Sequence, residues 1–264
     1  MIALTHTPSP RLVECQLTHL SRQPIDFATA LRQHAGYCRM LENCGAHVRV
    51  LDANRDCPDG VFIEDTAVIL EEVAILTSLG AASRRPESTA VESVLREYRQ
   101  VVRMDLPATL EGGDVLRVNR QLLVGISSRT NRAGIAALTE LAGSHGYRVI
   151  PVPVRNCLHL KTACTALPDG RLLLNPDWLD TGVLAGFRHI SVPEAEPWAA
   201  NVAVVGQFVC AAAGNPRTAE LLLCSGFALA TTELSEFAKA EGGITCLSLL
   251  LADIPKLTPH SPHP

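Results

Sequence analysis

Apolar and polar positions along this chain alternate in a repeating order: two short apolar runs, an amphipathic stretch, and one further apolar run. Residues 67–70 and 73–76 flank Glu71-Glu72 and predict a strand pair. A helix is expected over 87–98 and a strand over 101–104. The order returns with strands at 115–118 and 122–126 around the turn Asn119-Arg120. Thr130 then caps a helix bearing Ile135, Leu138 and Leu141 on one face, and a strand follows at 147–150. A third unit begins near Leu158, turns back at Pro168-Asp169-Gly170, and continues into a short helix over 177–183. A fourth runs from Asn201 through Val209, enters a helix at Asn215-Pro216, where proline suits the first helical position, and ends in a strand near Phe227.

The chain ends supply a fifth unit. Asp26 caps a helix whose apolar positions Phe27, Leu31, Cys38 and Leu41 recur at helical spacing, and residues 47–51 read as a strand. The apolar run after Cys246 reads as a buried strand that joins the N-terminal one. Measured between Glu64, Glu111, His159, Asn201 and Cys246, the units are spaced 47, 48, 42 and 45 residues apart. Such regularity indicates a repeated α/β architecture, closed on itself so that no sheet edge stays free. A single domain over 1–254 is expected. Residues 255–264, with four prolines and two histidines, are expected to be a disordered tail.

Composition narrows the class. With 264 residues, 47% hydrophobic and 19% charged, the chain has the make-up of a globular protein with a sizeable core. A net charge of −4 excludes the basic footprint of a nucleic-acid or anionic-membrane binder. Apolar runs are too short to span a bilayer. Nine cysteines without a CxxC pair, behind an N-terminus lacking signal-peptide regions, point to reduced thiols in a cytoplasm.

The repeat also changes how single residues read. Alone, Cys246 is an inert core thiol, His159 a hydrogen-bonded core histidine, and Glu111, in Leu110-Glu111-Gly112-Gly113-Asp114, a turn residue. Placed at equivalent positions of units around an axis, Glu64, Asp65, Glu111, His159 and Cys246 converge on one mouth, with Gly242-Gly243 giving close approach to Cys246. A thiolate nucleophile, an acid/base and several carboxylates then share a pocket. Glu64 and Asp65, adjacent in an apolar stretch, cannot both face solvent on a strand, and the inward one needs a cation or donors. A cationic ligand would serve. No HExxH, CxxC pair or calcium loop signals a metal site.

Phe62-Ile63-Glu64-Asp65, Ser83-Arg84-Arg85, Leu110-Glu111-Gly112-Gly113-Asp114, Ser128-Arg129-Thr130-Asn131, Leu158-His159-Leu160-Lys161, Ala199-Ala200-Asn201 and Gly243-Ile244-Thr245-Cys246 resemble, in this order, the dimethylarginine dimethylaminohydrolases of the arginine-deiminase and amidinotransferase superfamily. The resemblance implies a five-bladed, pseudo-symmetric α/β propeller, the pentein fold. It implies Cys246 as nucleophile, His159 as acid/base and Glu111 as the group orienting or charging His159. It puts guanidinium contacts on Glu64 and Asp65, and amino-acid-end contacts on Leu17, Asp59, Arg84, Arg129 and the main chain near Ala240. Phe62 and Leu17 are the apolar groups it brings near the pocket, which favours a methylated arginine. The expected partner is a small guanidino amino acid, with no cofactor, nucleic acid or membrane; a homodimer is left open. One departure stands out, since the family's usual Asp before the glycines is Glu241 here. Arginine deiminase, citrulline hydrolase and amidinotransferase share this residue set. A non-catalytic pentein, like the ribosome-binding translation initiation factor of this fold, would not need Cys246, His159 and Glu111 together.

Overall fold

The computed structural model describes residues 1–252; the tail expected over 255–264 lies outside them. In chain order, β1 (Ile2–His6) leads through helix α1 (Phe27–Asn43) to β2 (His47–Leu51). Next come β3 (Ala67–Ile69), β4 (Val73–Leu76), α2 (Pro86–Leu95) and β5 (Gln100–Arg103), and then β6 (Val115–Val118), β7 (Gln121–Ile126), α3 (Arg132–Gly143) and β8 (Arg148–Pro153). The one-turn helix α4 (Leu160–Ala163) precedes β9 (Cys164–Ala166), β10 (Leu172–Leu174) and β11 (His189–Ser191). The chain closes with β12 (Ala203–Val205), β13 (Phe208–Ala212), α5 (Pro216–Cys224), β14 (Ala228–Thr232), the short α6 (Ser235–Ala238) and β15 (Ser248–Leu251).

Among the described residues these strands form five three-stranded sheets: β3-β4-β5, β6-β7-β8, β9-β10-β11, β12-β13-β14 and β15-β1-β2. Each is one blade of the pentein propeller. The first two strands of a blade run antiparallel and the last two parallel, as in β3–β4 and β4–β5. In the last blade the C-terminal β15 lies antiparallel to β1, so both ends of the chain share one sheet. Buried apolar clusters lie between neighbouring blades. Leu4, Leu76 and Leu249 join the last blade to the first; Ile75, Leu122 and Leu138 join the first to the second; Leu173, Val202 and Val209 join the third to the fourth. Each such side chain contributes roughly 1.5–3 kcal/mol of burial, so separating two blades is costly.

Local chemistry sets the boundaries. Asp26 caps α1 by accepting from Thr29 N, and Pro216 opens α5. Four sequence expectations shift. Asn131, not Thr130, caps α3, accepting from Gly134 N, because the Thr130 hydroxyl is donated to buried Asp114. α2 ends at Leu95 rather than near 98, and its strand starts at Gln100, in parallel register with Val73. Residues 177–183 form no α-helix: Asn175 and Asp180 accept from Asp177 N and Gly182 N and hold two 3-10 turns, Pro176–Trp178 and Thr181–Leu184. β8 runs on to Pro153, since on an edge strand Pro151 and Pro153 can both turn their missing donors away from β7. No described helix is long and apolar enough to cross a membrane.

Candidate active site

Before the first strand of four blades the chain makes one helical turn: Ile63–Thr66, Gly112–Asp114, Leu160–Ala163 and Thr245–Leu247. Glu64, Asp65, His159 and Cys246 therefore sit in or next to tight turns and not on strands, which corrects the alternation expected for the two acids. On a turn, adjacent side chains diverge. Asp65 accepts from Arg84 Nη1 at 2.7 Å and Gly113 N at 3.0 Å. Glu64 points elsewhere, accepting from Lys161 Nζ and the Thr245 hydroxyl, both at 2.7 Å. Both acids are buried, and the chain's own Arg84 and Lys161 neutralise them.

A narrow slot collects Asp59, Phe62, Asp65, Arg84, Arg129, His159, Ala240 and Cys246, with Gln16, Leu158, Glu241 and Gly242 completing its walls. Its volume is about 20 Å³, room for about one water. Three expected site residues lie off it, Glu111 among them. Leu17 packs on the apolar cluster containing Phe62 and Phe237, and Glu64 lines a separate cavity beside Lys161 and Thr245. Cys246 also borders a cavity of about 540 Å³ with Thr162, Trp198, Asn201, Ala212 and Ile244 among its walls.

Glu111 and His159 form the strongest pairing. His159 Nε2 donates to Glu111 Oε2 at 2.7 Å, with Glu111 fully buried and His159 4% exposed. Glu111 Oε1 accepts from Gly80 N at 3.1 Å, Ala81 N at 3.3 Å and Arg129 Nη1 at 3.4 Å. Burial alone would pull the His159 pKa down. The carboxylates of Asp65, Glu111 and Asp114 outweigh it, so the imidazolium persists at neutral pH. Burial likewise favours the acid form of Glu111, but His159, Arg84 and Arg129 hold it well below the usual carboxylate range. Gly113 permits this packing, because a Cβ there would lie 2.7 Å from His159 Nδ1 and 2.9 Å from Asp65 Oδ1.

Cys246 Sγ accepts from Gly243 N at 3.3 Å. Burial, with Glu64 and Asp65 nearby, pushes its thiol up to about 12, so the thiol rests protonated. Asp65, Glu111 and His159 bring three ligand-type atoms within 4.8 Å of one another. Their side chains are already paired with one another and with the chain's arginines: Asp65 accepts from Arg84, and Glu111 accepts from His159 and Arg129.

At the slot's other end, Asp59 accepts from Gln16 N at 3.0 Å, and Arg129 Nη2 donates to the Thr18 hydroxyl at 3.1 Å. Arg84 is not the free fork expected for a substrate carboxylate. Its guanidinium is buried and spent on Glu87 (2.9 Å), Asp65 and Phe62 O. Sequence reading gave no site role to Lys161, Asp114 or Glu87. Asp114 accepts from Leu160 N at 2.9 Å, Ser127 Oγ at 2.5 Å and Thr130 Oγ1 at 2.6 Å, and so fixes the turn that presents His159. For Lys161 a signal existed: a lysine two residues past the candidate His, in an apolar turn, is the cation an inward Glu64 requires.

A family model described as eukaryotic N,N-dimethylarginine dimethylhydrolase matches residues 16–165. The N(G),N(G)-dimethylarginine dimethylaminohydrolase of Streptomyces coelicolor is 41% identical over 253 residues, covering 96% of this chain and 97% of that protein. The Pseudomonas aeruginosa enzyme of the same name is 33% identical over 249 residues, covering 93% and 97%. A solved structure of dimethylarginine dimethylaminohydrolase from Pseudomonas aeruginosa, a Cys-to-Ser mutant complexed with citrulline, superposes with a TM-score of 0.87 at 32% identity, covering 94% of this chain and 97% of that one.

Proposed function

This chain belongs to the dimethylarginine dimethylaminohydrolase family, and on that premise we propose that it hydrolyses an Nω-methylated arginine to citrulline and methylamine or dimethylamine. Cys246 is the nucleophile, His159 the acid/base, and Glu111 the group that keeps His159 charged and oriented. Supporting this is one observation above the rest: the Cys246 thiol lines the same slot as His159, whose imidazolium is held by the buried Glu111 carboxylate behind it. One catalytic domain over 1–254 carries the reaction. All nine cysteines are free, and we place the protein in the reducing cytoplasm.

Asp65 accepts from the guanidinium and fixes its plane, while Arg129 takes the carboxylate at the far end. The bound cation favours the thiolate electrostatically, against the burial and the Glu64 and Asp65 carboxylates that keep the thiol protonated, so the thiol releases its proton to solvent and the thiolate forms where substrate lies. Sulfur attacks the guanidinium carbon, forming the C–S bond of a tetrahedral adduct. His159 protonates the departing amine as the C–N bond breaks, leaving a thiouronium on Cys246. Neutral His159 then takes a proton from water, whose oxygen adds to the same carbon. Collapse breaks the C–S bond, passes the remaining hydroxyl proton to the departing Cys246 sulfur, and releases citrulline. No cofactor enters these steps.

The larger cavity beside Cys246 gives apolar room for an N-methyl group, where a carboxylate wall would forfeit hydration without a bond in return. This relocates the methyl site from Phe62 and Leu17, since Phe62 packs edge-on against Phe237 and Leu17 lies off the slot. Supplied with equal arginine and asymmetric dimethylarginine, the enzyme should release dimethylamine in excess over ammonia. A methyl pocket supplies about 1–3 kcal/mol of preference, roughly 10–200-fold. Ammonia in excess would move the chain to the deiminases.

A further inference from the structure

Among the described residues four blades open on a helical turn, and the fourth does not. At its equivalent position stands Asn201, 42 residues after His159 and 45 before Cys246, with no part in the chemistry of the slot. Its side chain is 9% exposed and fully bonded. Nδ2 donates to Lys161 O at 2.9 Å and to Thr245 Oγ1 at 3.0 Å, while Oδ1 accepts from Thr245 N at 3.0 Å. A carbonyl cannot donate and an N–H cannot accept, so the amide has one orientation. Lys161 lies two residues past His159, and Thr245 one residue before Cys246. One amide therefore bonds the turn of the acid/base to the turn of the nucleophile. A second path between these turns runs from Lys161 Nζ through Glu64 to the Thr245 hydroxyl, and it depends on a flexible four-carbon stem. Asn201 reaches main-chain atoms on both turns, which makes it the stiffer tie.

We infer that Asn201 is a positioning residue for proton transfer: it fixes the His159 turn against the Cys246 turn, so that the imidazolium meets the nitrogen leaving the carbon under attack. This rests on the reading of Cys246 as nucleophile and His159 as proton donor. Each turn keeps an anchor of its own without Asn201. Asp114 accepts from Leu160 N, and the Tyr37 hydroxyl donates to Ile244 O at 2.9 Å. Asn201 also borders the cavity of about 540 Å³, where water can reach the groups it would leave. Loss of the amide therefore leaves both reacting groups in the slot and takes them out of mutual register. A misplacement of about 1 Å costs a reaction about 100-fold.

The test separates proton delivery from sulfur attack by changing the leaving group. Asymmetric dimethylarginine needs a proton on its departing amine. S-methyl-L-thiocitrulline does not: Cys246 sulfur bonds to its central carbon, the bond to the methylthio sulfur breaks, and methanethiolate leaves with the electron pair. In Asn201→Ala, kcat for dimethylarginine should fall about 100-fold with KM within about threefold, since Asp65 and Arg129 are untouched. First-turnover methanethiol release should stay within about threefold of the native rate. Equal losses with both substrates, or none with either, would overturn the inference, the first because Asn201 would then only support the fold. Asn201→Asp keeps the acceptor for Thr245 N and loses the donor to Lys161 O, and should lose dimethylarginine turnover as Asn201→Ala does; native turnover there would overturn the tie. His159→Gly tests the underlying reading: it should abolish dimethylarginine turnover and still release methanethiol. Native dimethylarginine turnover in His159→Gly would overturn the proton donor and the tie together, whereas loss there with native turnover in Asn201→Ala would overturn the tie alone.

Discussion

Replacing Glu111 by Gln separates charge from shape at the centre of the site. The amide oxygen can keep the bonds from Gly80 N, Ala81 N and Arg129, so the fold around it should persist. The lost element is the anion 2.7 Å from His159 Nε2. At an effective dielectric of about 20, that contact is worth about 6 kcal/mol before desolvation is subtracted. Broken buried pairs cost about 3–5 kcal/mol net, and the retained bonds put this case near 3. At 1.36 kcal/mol per pKa unit, the His159 pKa falls by about two units from about 9, which leaves the ring only about half charged at pH 7. A neutral ring cannot protonate the departing amine, so the alkaline limb of kcat/KM should move down by about two pH units, a loss of about 100-fold at alkaline pH with KM little changed. The stability profile should change as well. His159 is raised from 6.5, so its contribution is full below 6.5 and lost as pH rises through the folded value. Glu111 is depressed from 4.5, so its contribution is full above 4.5 and lost as pH falls through its own folded value. The pair therefore stabilises most between those two pH values, and Glu111→Gln should flatten that maximum. The assays are citrulline release across pH and urea melts at matched pH. A variant with native rates and a native pH profile would show that Glu111 does not charge His159.

Two further outcomes follow from the same contacts. With the Cys246 thiol pushed up to about 12, iodoacetamide should label the unliganded protein about tenfold faster per pH unit from neutrality upward; a plateau near pH 7 would mean that the thiolate is already formed. Arg84→Lys cannot reproduce the fork on Glu87 and Asp65 and leaves buried charge half paired, so urea unfolding should show a loss of about 3 kcal/mol, and a shift under 1 kcal/mol would place the triad outside the stabilising contacts.

Much of the fold was legible because its information is local and repeated. The turn at Pro168-Asp169-Gly170, the cap at Asp26 and the Asn215-Pro216 start each act within a few residues, and near-constant spacing exposed the repeat. That Cys246, His159, Glu111 and Asp65 come together was legible, because equivalent positions of a closed repeat must meet. The partners of those residues were not. Whether Arg84 offers its fork to a ligand or spends it on Glu87 depends on a one-turn helix placing Arg84 beside Glu87 and Asp65 in the interior. The divergence of Glu64 from Asp65 likewise depends on a turn replacing an expected strand. Asp114 read as a turn residue because its donors Ser127, Thr130 and Leu160 N come from other segments.

Those cross-segment bonds explain why this fold can hold so much buried charge. Asp65 in the first blade accepts from Gly113 N in the second, and Asp114 in the second accepts from Leu160 N in the third. Asn201 in the fourth blade donates to Lys161 O in the third and accepts from Thr245 N in the fifth; Gly243 beside it has no room for a Cβ, which would lie 2.4 Å from Asn201 Oδ1. Thr245 then donates its hydroxyl to Glu64, back in the first blade. The bonds make a ring around the axis, one contact for each pair of neighbours. Asp65 is needed twice, once to join blades and once to shape the slot. A blade that shifted would unpair a buried carboxylate or amide, at about 1–3 kcal/mol for a neutral group and more for a charged one. The positions of Cys246 and His159 are therefore enforced by the same bonds that close the propeller.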